Sequence, residues 1–132
     1  MRILGIDYGT KRVGVALSDE RRKFALPHGV IQNAPELLAE VMKAAKDNKV
    51  EEIVMGESRN FNNEPNPVHA ESMDFKKKLE AEGFTVHLEP EFMTSVHAER
   101  FQGRNEKIDA SAAALILQSY LDRERDDSDL GE

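Results

Sequence analysis

The sequence predicts an α/β fold in which helices cover both faces of a mixed β-sheet. Three observations lead to this fold class. Short apolar segments with strand-like alternation open the chain and form a meander. A run of strand, helix, strand, helix and strand then follows, recognised by the change from alternating to helical spacing of apolar residues. The length of 132 residues suits one domain with a single sizeable core.

The N-terminal third is predicted to hold the three strands of the meander. The first two span residues 2–7 and 12–18 and are joined by a short turn. A charged turn, Asp19–Lys23, cannot be buried and leads into a third strand at about 24–31. Pro27 in this strand has no N–H to donate, so we expect an edge strand or a bulge there.

The first helix is expected to begin with Asn33 as its N-cap and Pro35 in its first turn, and to end near Asn48. Its apolar residues recur at helical spacing: Leu37, Leu38, Val41, Met42 and Ala45. A short buried strand is predicted at 51–56, and the acid Glu57 follows it at once.

The middle of the chain is predicted to form a loop, a helix and a strand. Residues 58–67 are rich in turn formers and indicate a loop of the length that is often functional. The second helix starts at Pro67 and ends at Gly83 in the C′ position. A fifth strand follows at 84–88, and Glu91 comes soon after it.

The last part of the chain is predicted to be helical. A short helix at 93–101 is broken at Gly103, and the last helix runs from 110 to about 123 with one continuous apolar face. Asp109 precedes this face by helical spacing, so we expect it to point toward the sheet from a helix N-terminus, which favours negative charge. Residues 124–132 are acidic and are expected to be a flexible tail, which leaves 1–123 as the domain.

Composition excludes several classes of function. The absence of cysteine rules out disulfides, a thiolate nucleophile and cysteine-ligated zinc. Because no apolar run reaches membrane-spanning length and the first residues are already strand-like, we expect a cytoplasmic protein without signal peptide or anchor.

The net charge of −7 argues only weakly against a nucleic-acid partner. Six acids and two arginines in residues 122–132 supply more than half of it. Basic residues also occur in clusters, at Lys11 and Arg12, at Arg21–Lys23, at Lys76–Lys78, and at Arg100, Arg104 and Lys107. The clusters near the acidic candidates are the better phosphate binders, whereas Lys76–Lys78 suits a solvated helix face.

Four acids fall at the ends of predicted elements: Asp7, Glu57, Glu91 and Asp109. If strand 1 is central and strand 4 lies parallel beside it, Asp7 and Glu57 leave the same edge of the sheet, where α/β proteins bind ligands. Converging carboxylates repel one another unless divalent cations neutralise them. Without cysteine or a histidine pair at ligand spacing, Mg²⁺ or Mn²⁺ is favoured over zinc.

Two motifs resemble a known family. The segments GIDYGTKRVGVALSD at 5–19 and IDASAAALILQSYL at 108–121 closely resemble the YqgF/RuvX family of RNase H-like pre-16S rRNA nucleases, which is related to the Holliday-junction resolvases. The resemblance covers residues 1 to about 123. It implies an RNase H-like fold with strand order 3-2-1-4-5, a cytoplasmic location, and metal-dependent phosphodiester cleavage that trims the small-subunit ribosomal RNA precursor.

The chain departs from the family pattern in two places. Gly56-Glu57-Ser58 stands where most members have Gly-Leu-Pro, and Pro90-Glu91-Phe92 stands where they have Asp-Glu-Arg. A glutamate at the end of strand 4 resembles the Holliday-junction resolvases, so Glu57 is expected to be a metal ligand here. The role of Glu91 stays open between a metal ligand, a supporting residue and a loop acid.

The resemblance implies hydrolysis with two metal ions. Asp7 would bridge ions ~4 Å apart, while Glu57 and Asp109 hold one each. The alternatives with a purely structural role are a turn cap for Asp7 and a helix N-cap for Asp109. The expected catalytic set is Asp7, Glu57, Asp109 and Glu91, and the expected nucleic-acid contacts are Gly9, Thr10, Lys11, Arg12, Arg59, Asn60 and Arg104.

Other functions stay open at this point. The protein could cleave four-way DNA junctions, or bind nucleic acid without cleaving it. The Asp-x-Gly-Thr hairpin also resembles the first phosphate motif of actin and sugar-kinase ATPases, but one 132-residue copy cannot form their two-domain ATP cleft. We expect a monomer, although a resolvase would need a symmetric dimer to cut two strands.

Overall fold

The computed structural model describes residues 2–57, 67–90 and 106–130 of the protein. Within these ranges five strands and three helices are formed. The strands are β1 (Arg2–Asp7), β2 (Arg12–Ser18), β3 (Ala25–Gln32), β4 (Val50–Glu57) and β5 (Thr85–Pro90). The helices are α1 (Leu37–Asp47), α2 (Pro67–Ala81) and, after β5, α3 (Glu106–Leu130).

The five strands form one mixed sheet in the order β3-β2-β1-β4-β5. The meander pairs antiparallel, β1 with β2 and β2 with β3. The later strands are parallel, β4 to β1 and β5 to β4. The predicted fold class and strand order are therefore confirmed, and β1 is the central strand because both halves of the sheet build on it.

The sheet is covered on both faces, and side chains alternate between two cores. Ile6 of β1 packs with Val41 of α1 and Leu79 of α2 in the larger core. Ile3, on the opposite face of β1, packs with Leu117 of α3 in the second core. Consecutive side chains of the central strand thus pack in different cores. The odd-numbered residues of β1 lie on the face of α3, and the even-numbered residues lie on the face of α1 and α2.

The edge strand β3 has the features that Pro27 predicted. Pro27 lies on the outermost strand, and the β2–β3 register shifts between Val15 and Ala16, where Ala16 faces the proline. The preceding turn is held by Asp19, whose Oδ1 accepts hydrogen bonds from the backbone N–H groups of Lys23 at 2.7 Å and Phe24 at 3.0 Å. The bond from Phe24 is the main reason that the pKa of Asp19 lies below its usual range.

The predicted start of α1 is wrong. The helix begins at Leu37 with Glu36 at the N-cap position and without a side-chain cap bond. Asn33 does not cap it, because it lies four residues before Leu37; its side-chain NH₂ donates to the carbonyl of Gly9 in a distant loop. The predicted end near Asn48 is confirmed, since the Asn48 Nδ2 donates to the carbonyl of Ala44 at 2.8 Å.

The last helix is longer than predicted at both ends, because α3 spans Glu106–Leu130. Asp109 is therefore the fourth residue of the helix and not its N-cap. At the other end, the guanidinium of Arg123 pairs with the carboxylate of Glu89 on β5, which holds the helix to the sheet beyond its apolar face. The predicted apolar residues of this helix are all buried: Ala112, Ala113, Ile116, Leu117, Tyr120 and Leu121. The flexible tail at 124–132 stays a prediction.

The remaining predicted elements are formed where the structure describes them, with strand bounds that differ from the predicted ones by one or two residues. Gly83 follows α2 with a φ of 102°, as its C′ position requires. The loop at 58–66 and the short helix at 93–101 lie outside the described residues. Among the helices of the described ranges, none is long and apolar enough to cross a membrane.

Candidate active site at the carboxyl edge of the sheet

Asp7 is the last residue of the central strand, and its side chain is only 2% exposed. Alternation along β1 places it on the same face as Ile3 and Gly5, under α3. A buried carboxylate is costly to ionise unless donors or cations compensate its charge. Asp7 is therefore the strongest candidate for a functional acid in the described part of the chain.

The neighbouring strand brings Glu57 to the same edge of the sheet. Ile6 pairs with Met55, so the next step of the register sets Asp7 beside Gly56, at the strand spacing of about 4.8 Å. Glu57 is the last residue of β4 and pairs with Pro90 of β5. The backbone of Glu57 thus lies one residue beyond the level of Asp7, as the parallel arrangement predicted.

The first turn of α3 is directed toward this edge as well. The helix passes over Gly5 at Ala113, because a Cβ atom added to Gly5 would lie 3.2 Å from the Ala113 carbonyl oxygen. Further along the helix, Gln118 accepts a hydrogen bond from Ala25, which lies at the opposite end of the sheet. Asp109 lies four residues, or ~6 Å along the axis, before Ala113. The helix therefore approaches from the side of Asp7, and the backbone of Asp109 lies on that side.

The side chains of most predicted ligands are not described. Those of Glu57 and Asp109 belong to the undescribed part, and Glu91 lies outside the described residues altogether. Arg59, Asn60 and Arg104 also lie outside them. Among the side chains that the structure does describe, no three histidines or acids come together as a metal site. The predicted ligand set accordingly stays a prediction.

The loop between β1 and β2 carries the remaining predicted contacts. Gly9 is buried, whereas Thr10 and Lys11 are exposed, and Arg12, which begins β2, is half-buried. At the base of the loop the ring of Tyr8 packs 5.6 Å from the ring of Phe75 in α2. The loop thus presents a hydroxyl and a cation next to the strand that ends in Asp7.

The sequence interpretation missed Glu89, a second buried acid. Its side chain is 2% exposed, accepts a hydrogen bond from the Ser119 hydroxyl at 2.9 Å, and pairs with Arg123 at 2.5 Å. Glu89 pairs with Gly56 across the strands and so stands two strands from Asp7, at the same level. Thr85 and His87 lie on one face of β5, and alternation along the strand places Glu89 on that same face, under α3. The sequence pattern could therefore have predicted the position of Glu89.

The sequence interpretation also gave Asn33 the wrong partner. Its Nδ2 donates to the carbonyl of Gly9 at 2.8 Å, and its backbone N–H donates to the carbonyl of Lys11 at 3.0 Å. No local pattern signals these bonds, because the partners are more than twenty residues away.

The sheet order β3-β2-β1-β4-β5, with helices on both faces, defines the fold of the protein as RNase H-like. Thermus thermophilus RuvC in complex with Holliday junction substrate superimposes with a TM-score of 0.64 at 16% identity, over 95% of this chain and 96% of RuvC. The fowlpox virus Holliday junction resolvase does so with a TM-score of 0.58 at 14% identity, over 93% of this chain and 99% of the other.

Within this class, the chain belongs to the RuvX family. The family model, described as a Holliday junction resolvase, matches residues 1–123. A relative from Moorella thermoacetica, named "Putative pre-16S rRNA nuclease", is 39% identical over 93% of this chain and 96% of its own length. A Streptococcus mutans relative of the same name is 36% identical over 93% of this chain and 99% of its own length.

Proposed function

We propose that this protein is a nuclease that hydrolyses phosphodiester bonds and processes the ends of the precursor of small-subunit ribosomal RNA. The observation that carries the proposal is the burial of Asp7 at the carboxyl edge of the central strand, beside the ends of β4 and α3. The names of the full-length relatives support the choice of substrate. A protein that acts on this precursor would work in the cytoplasm.

The donor set fits a hard divalent cation. Asp7, Glu57 and Asp109 would hold Mg²⁺ or Mn²⁺, two ions in our proposal, because carboxylate oxygens are the ligands that these metals prefer. When bound, such ions activate a water molecule and stabilise the leaving oxygen. Glu91 is a fourth candidate, which would act as a ligand or as a support for one.

The chain's own residues would bind and align the nucleic acid. Thr10 and Lys11 are exposed next to Asp7, and Arg12 follows them at the start of β2. These groups suit phosphate oxygens, since hydroxyls and cations bind the backbone without reading its sequence. Gly9, Arg59, Asn60 and Arg104 complete the proposed nucleic-acid contacts.

A four-way DNA junction is the second candidate substrate. The observation in its favour is the RuvX family description, which covers the same residues as the fold. RNase H-like sites hold phosphates, which RNA and DNA share, so the described contacts suit either substrate. If the protein binds nucleic acid without cleaving it, its affinity for RNA should be the same in metal and in chelator.

The decisive experiment compares wild type with Asp7→Asn on a ribosomal RNA precursor fragment and on a four-way DNA junction, with Mg²⁺, with Mn²⁺ and with a chelator. We expect cleavage of the RNA that needs metal and falls to background in the variant. Asp74→Asn is the matched control, because it makes the same charge change at an exposed position of α2. Cleavage of the junction alone would favour the resolvase, and cleavage that survives in Asp7→Asn would contradict the proposed site.

A further inference from the structure

The loop between β1 and β2 is fastened to the end of β3 by Asn33. The side-chain amide of Asn33 donates to the carbonyl of Gly9 at 2.8 Å, and its backbone N–H donates to the carbonyl of Lys11 at 3.0 Å. These two bonds lie on either side of Thr10. One residue therefore fixes the backbone on both sides of the exposed tip of the loop.

The β1–β2 hairpin supplies little of this support. The last pair between the two strands is Asp7 with Gly14, so the segment 8–13 is not paired across the hairpin. Arg12 and Val13 pair instead with β3. The part of the loop that precedes them is thus held through Asn33, which stands immediately after β3.

The bond to Gly9 also sets the direction of the next N–H group. The peptide between Gly9 and Thr10 is trans, and in a trans peptide the C=O and N–H groups point in opposite directions. Because the Gly9 carbonyl is directed toward Asn33, the N–H of Thr10 is directed away from it. Of the two bonds, the one to Gly9 is made by the Asn33 side chain, whereas the one to Lys11 is donated by the Asn33 backbone N–H. A substitution at Asn33 therefore removes the bond to Gly9 and leaves the backbone donor in place.

Asn33 is not needed to start the neighbouring helix. The helix α1 begins at Leu37 and has no side-chain cap bond. The Asn33 amide is therefore committed to the loop, where its acceptor, Gly9, is buried. A buried carbonyl that loses its donor is destabilised by the cost of its desolvation, so the peptide would be expected to turn or the loop to shift.

We propose that Asn33 is a positioning residue for phosphate binding. It orients the loop so that the N–H and hydroxyl of Thr10, together with the Lys11 ammonium, meet one phosphate of the bound strand next to Asp7. This inference rests on the proposed function for its ligand, a nucleic-acid backbone. It concerns binding, so it can be tested whether or not the strand is cut.

The test measures the affinity of wild type, Asn33→Ala and Asn33→Asp for a labelled ribosomal RNA precursor fragment in chelator. Asn33→Asp keeps the shape and the backbone bond but sets an oxygen against the Gly9 carbonyl. We expect both variants to bind about three- to tenfold more weakly, the equivalent of one net hydrogen bond. In metal, KM should rise by a similar factor while kcat stays within about twofold.

Asn48→Ala is the matched control. The Asn48 amide also donates to a backbone carbonyl, Ala44, at 2.8 Å, but its Oδ1 accepts from Arg2 at the far end of the central strand. We expect this variant to lose thermal stability without losing RNA affinity. Hydrogen exchange supplies a second readout. The exchange rates of the Thr10 and Lys11 amides should rise in Asn33→Ala and should equal those of wild type in Asn48→Ala.

The outcomes separate this inference from the proposed nuclease function. RNA affinity in Asn33→Ala equal to that of wild type would overturn the positioning role, as would an equal loss in Asn48→Ala. Wild type that binds neither RNA nor the DNA junction would overturn it too. If wild type binds RNA, Asn33→Ala binds it weakly and neither protein cleaves, the positioning role stands and the nuclease proposal fails.

Discussion

The central strand and α3 approach each other closely at Gly5. A Cβ atom added there would lie 2.8 Å from the Cβ of Leu117 and 3.2 Å from the carbonyl oxygen of Ala113. Both contacts involve atoms close to the helix backbone, which cannot give way as a flexible side-chain end can. The glycine thus allows α3 to pack directly against the strand that ends in Asp7.

We predict that Gly5→Ala lowers the free energy of unfolding by about 1–3 kcal/mol, the usual cost of overpacking a core. Gly29→Ala is the control, because nothing lies within 4 Å of a Cβ added on the edge strand. Urea unfolding of the three proteins measures the difference. Equal stability of the two variants would contradict the close packing of α3 on β1.

Tyr120 gives the protein a defined response to alkaline pH. Burial, and then the negative charge of Glu124, raise the pKa of Tyr120 from 10.0 to about 12. Between these two pH values the folded protein keeps a proton that the unfolded chain has lost. Stability should therefore fall as the pH rises through this window.

We predict that Tyr120→Phe loses less stability than wild type between pH values of about 10 and about 12, because the variant has no phenol to ionise on unfolding. Thermal unfolding as a function of pH measures this. Parallel curves for the two proteins would show that Tyr120 does not contribute to the alkaline transition.

At the scale of elements, an ion pair contributes to the link between β5 and α3, beside the stacking of the His87 ring on Tyr120. Glu89 is buried on the edge strand, and Arg123, which is half-exposed, reaches it from the last third of the helix. The Ser119 hydroxyl supplies a further bond to the same carboxylate. This polar contact holds the helix over β5 where its apolar face has ended.

We predict that Arg123→Met destabilises the protein by about 1–3 kcal/mol, because a buried carboxylate loses its charged partner. Lys78→Met is the control, since it breaks an exposed pair with Asp74 on α2 that should contribute only about 0.3–0.5 kcal/mol. Chemical unfolding gives both values. A loss in Arg123→Met no larger than in the control would mean that the Glu89 pair contributes little to stability.

At the scale of the whole molecule, the parallel half of the sheet and the last helix bring acids from separate parts of the chain to one edge. If Asp7, Glu57 and Asp109 bind metal, folding and binding must be linked. We predict that Mg²⁺ or Mn²⁺ at ten times its Kd stabilises wild type by about 1.4 kcal/mol. Asp7→Asn should lose this gain while Asp74→Asn keeps it, as measured by thermal unfolding with metal and with chelator. Equal gains in all three proteins would place the metal elsewhere.

The edge strand β3 bears on the association of whole molecules. Its outer side is exposed, and Leu26 is 60% exposed, but Pro27 in the middle of the strand offers no N–H to a second copy. We expect a monomer in solution, to be measured by light scattering over a range of concentrations. A stable dimer would contradict this expectation and would favour a resolvase that cuts two strands.

The sequence by itself determined the features that have a local cause. The bounds of β1 and β2, the C-terminus of α1 at Asn48 and the buried face of α3 follow from apolar spacing and from cap and turn residues, all of which act over a few positions. The position of Asp7 at the mouth of a buried strand was predictable for the same reason. The strand order came from the resemblance of two motifs to a family, because spacing alone left it conditional.

Only the tertiary structure decided features whose partners are distant in sequence. Asn33 resembles a helix N-cap, but α1 begins four residues later and the Asn33 side-chain NH₂ donates to the Gly9 carbonyl. Glu89 is buried under α3, where Ser119 and Arg123 contact its carboxylate, and both partners lie thirty residues or more further along the chain. A side chain with hydrogen-bonding capacity takes the partner that the folded chain brings within reach, and the spacing of nearby residues does not contain that choice.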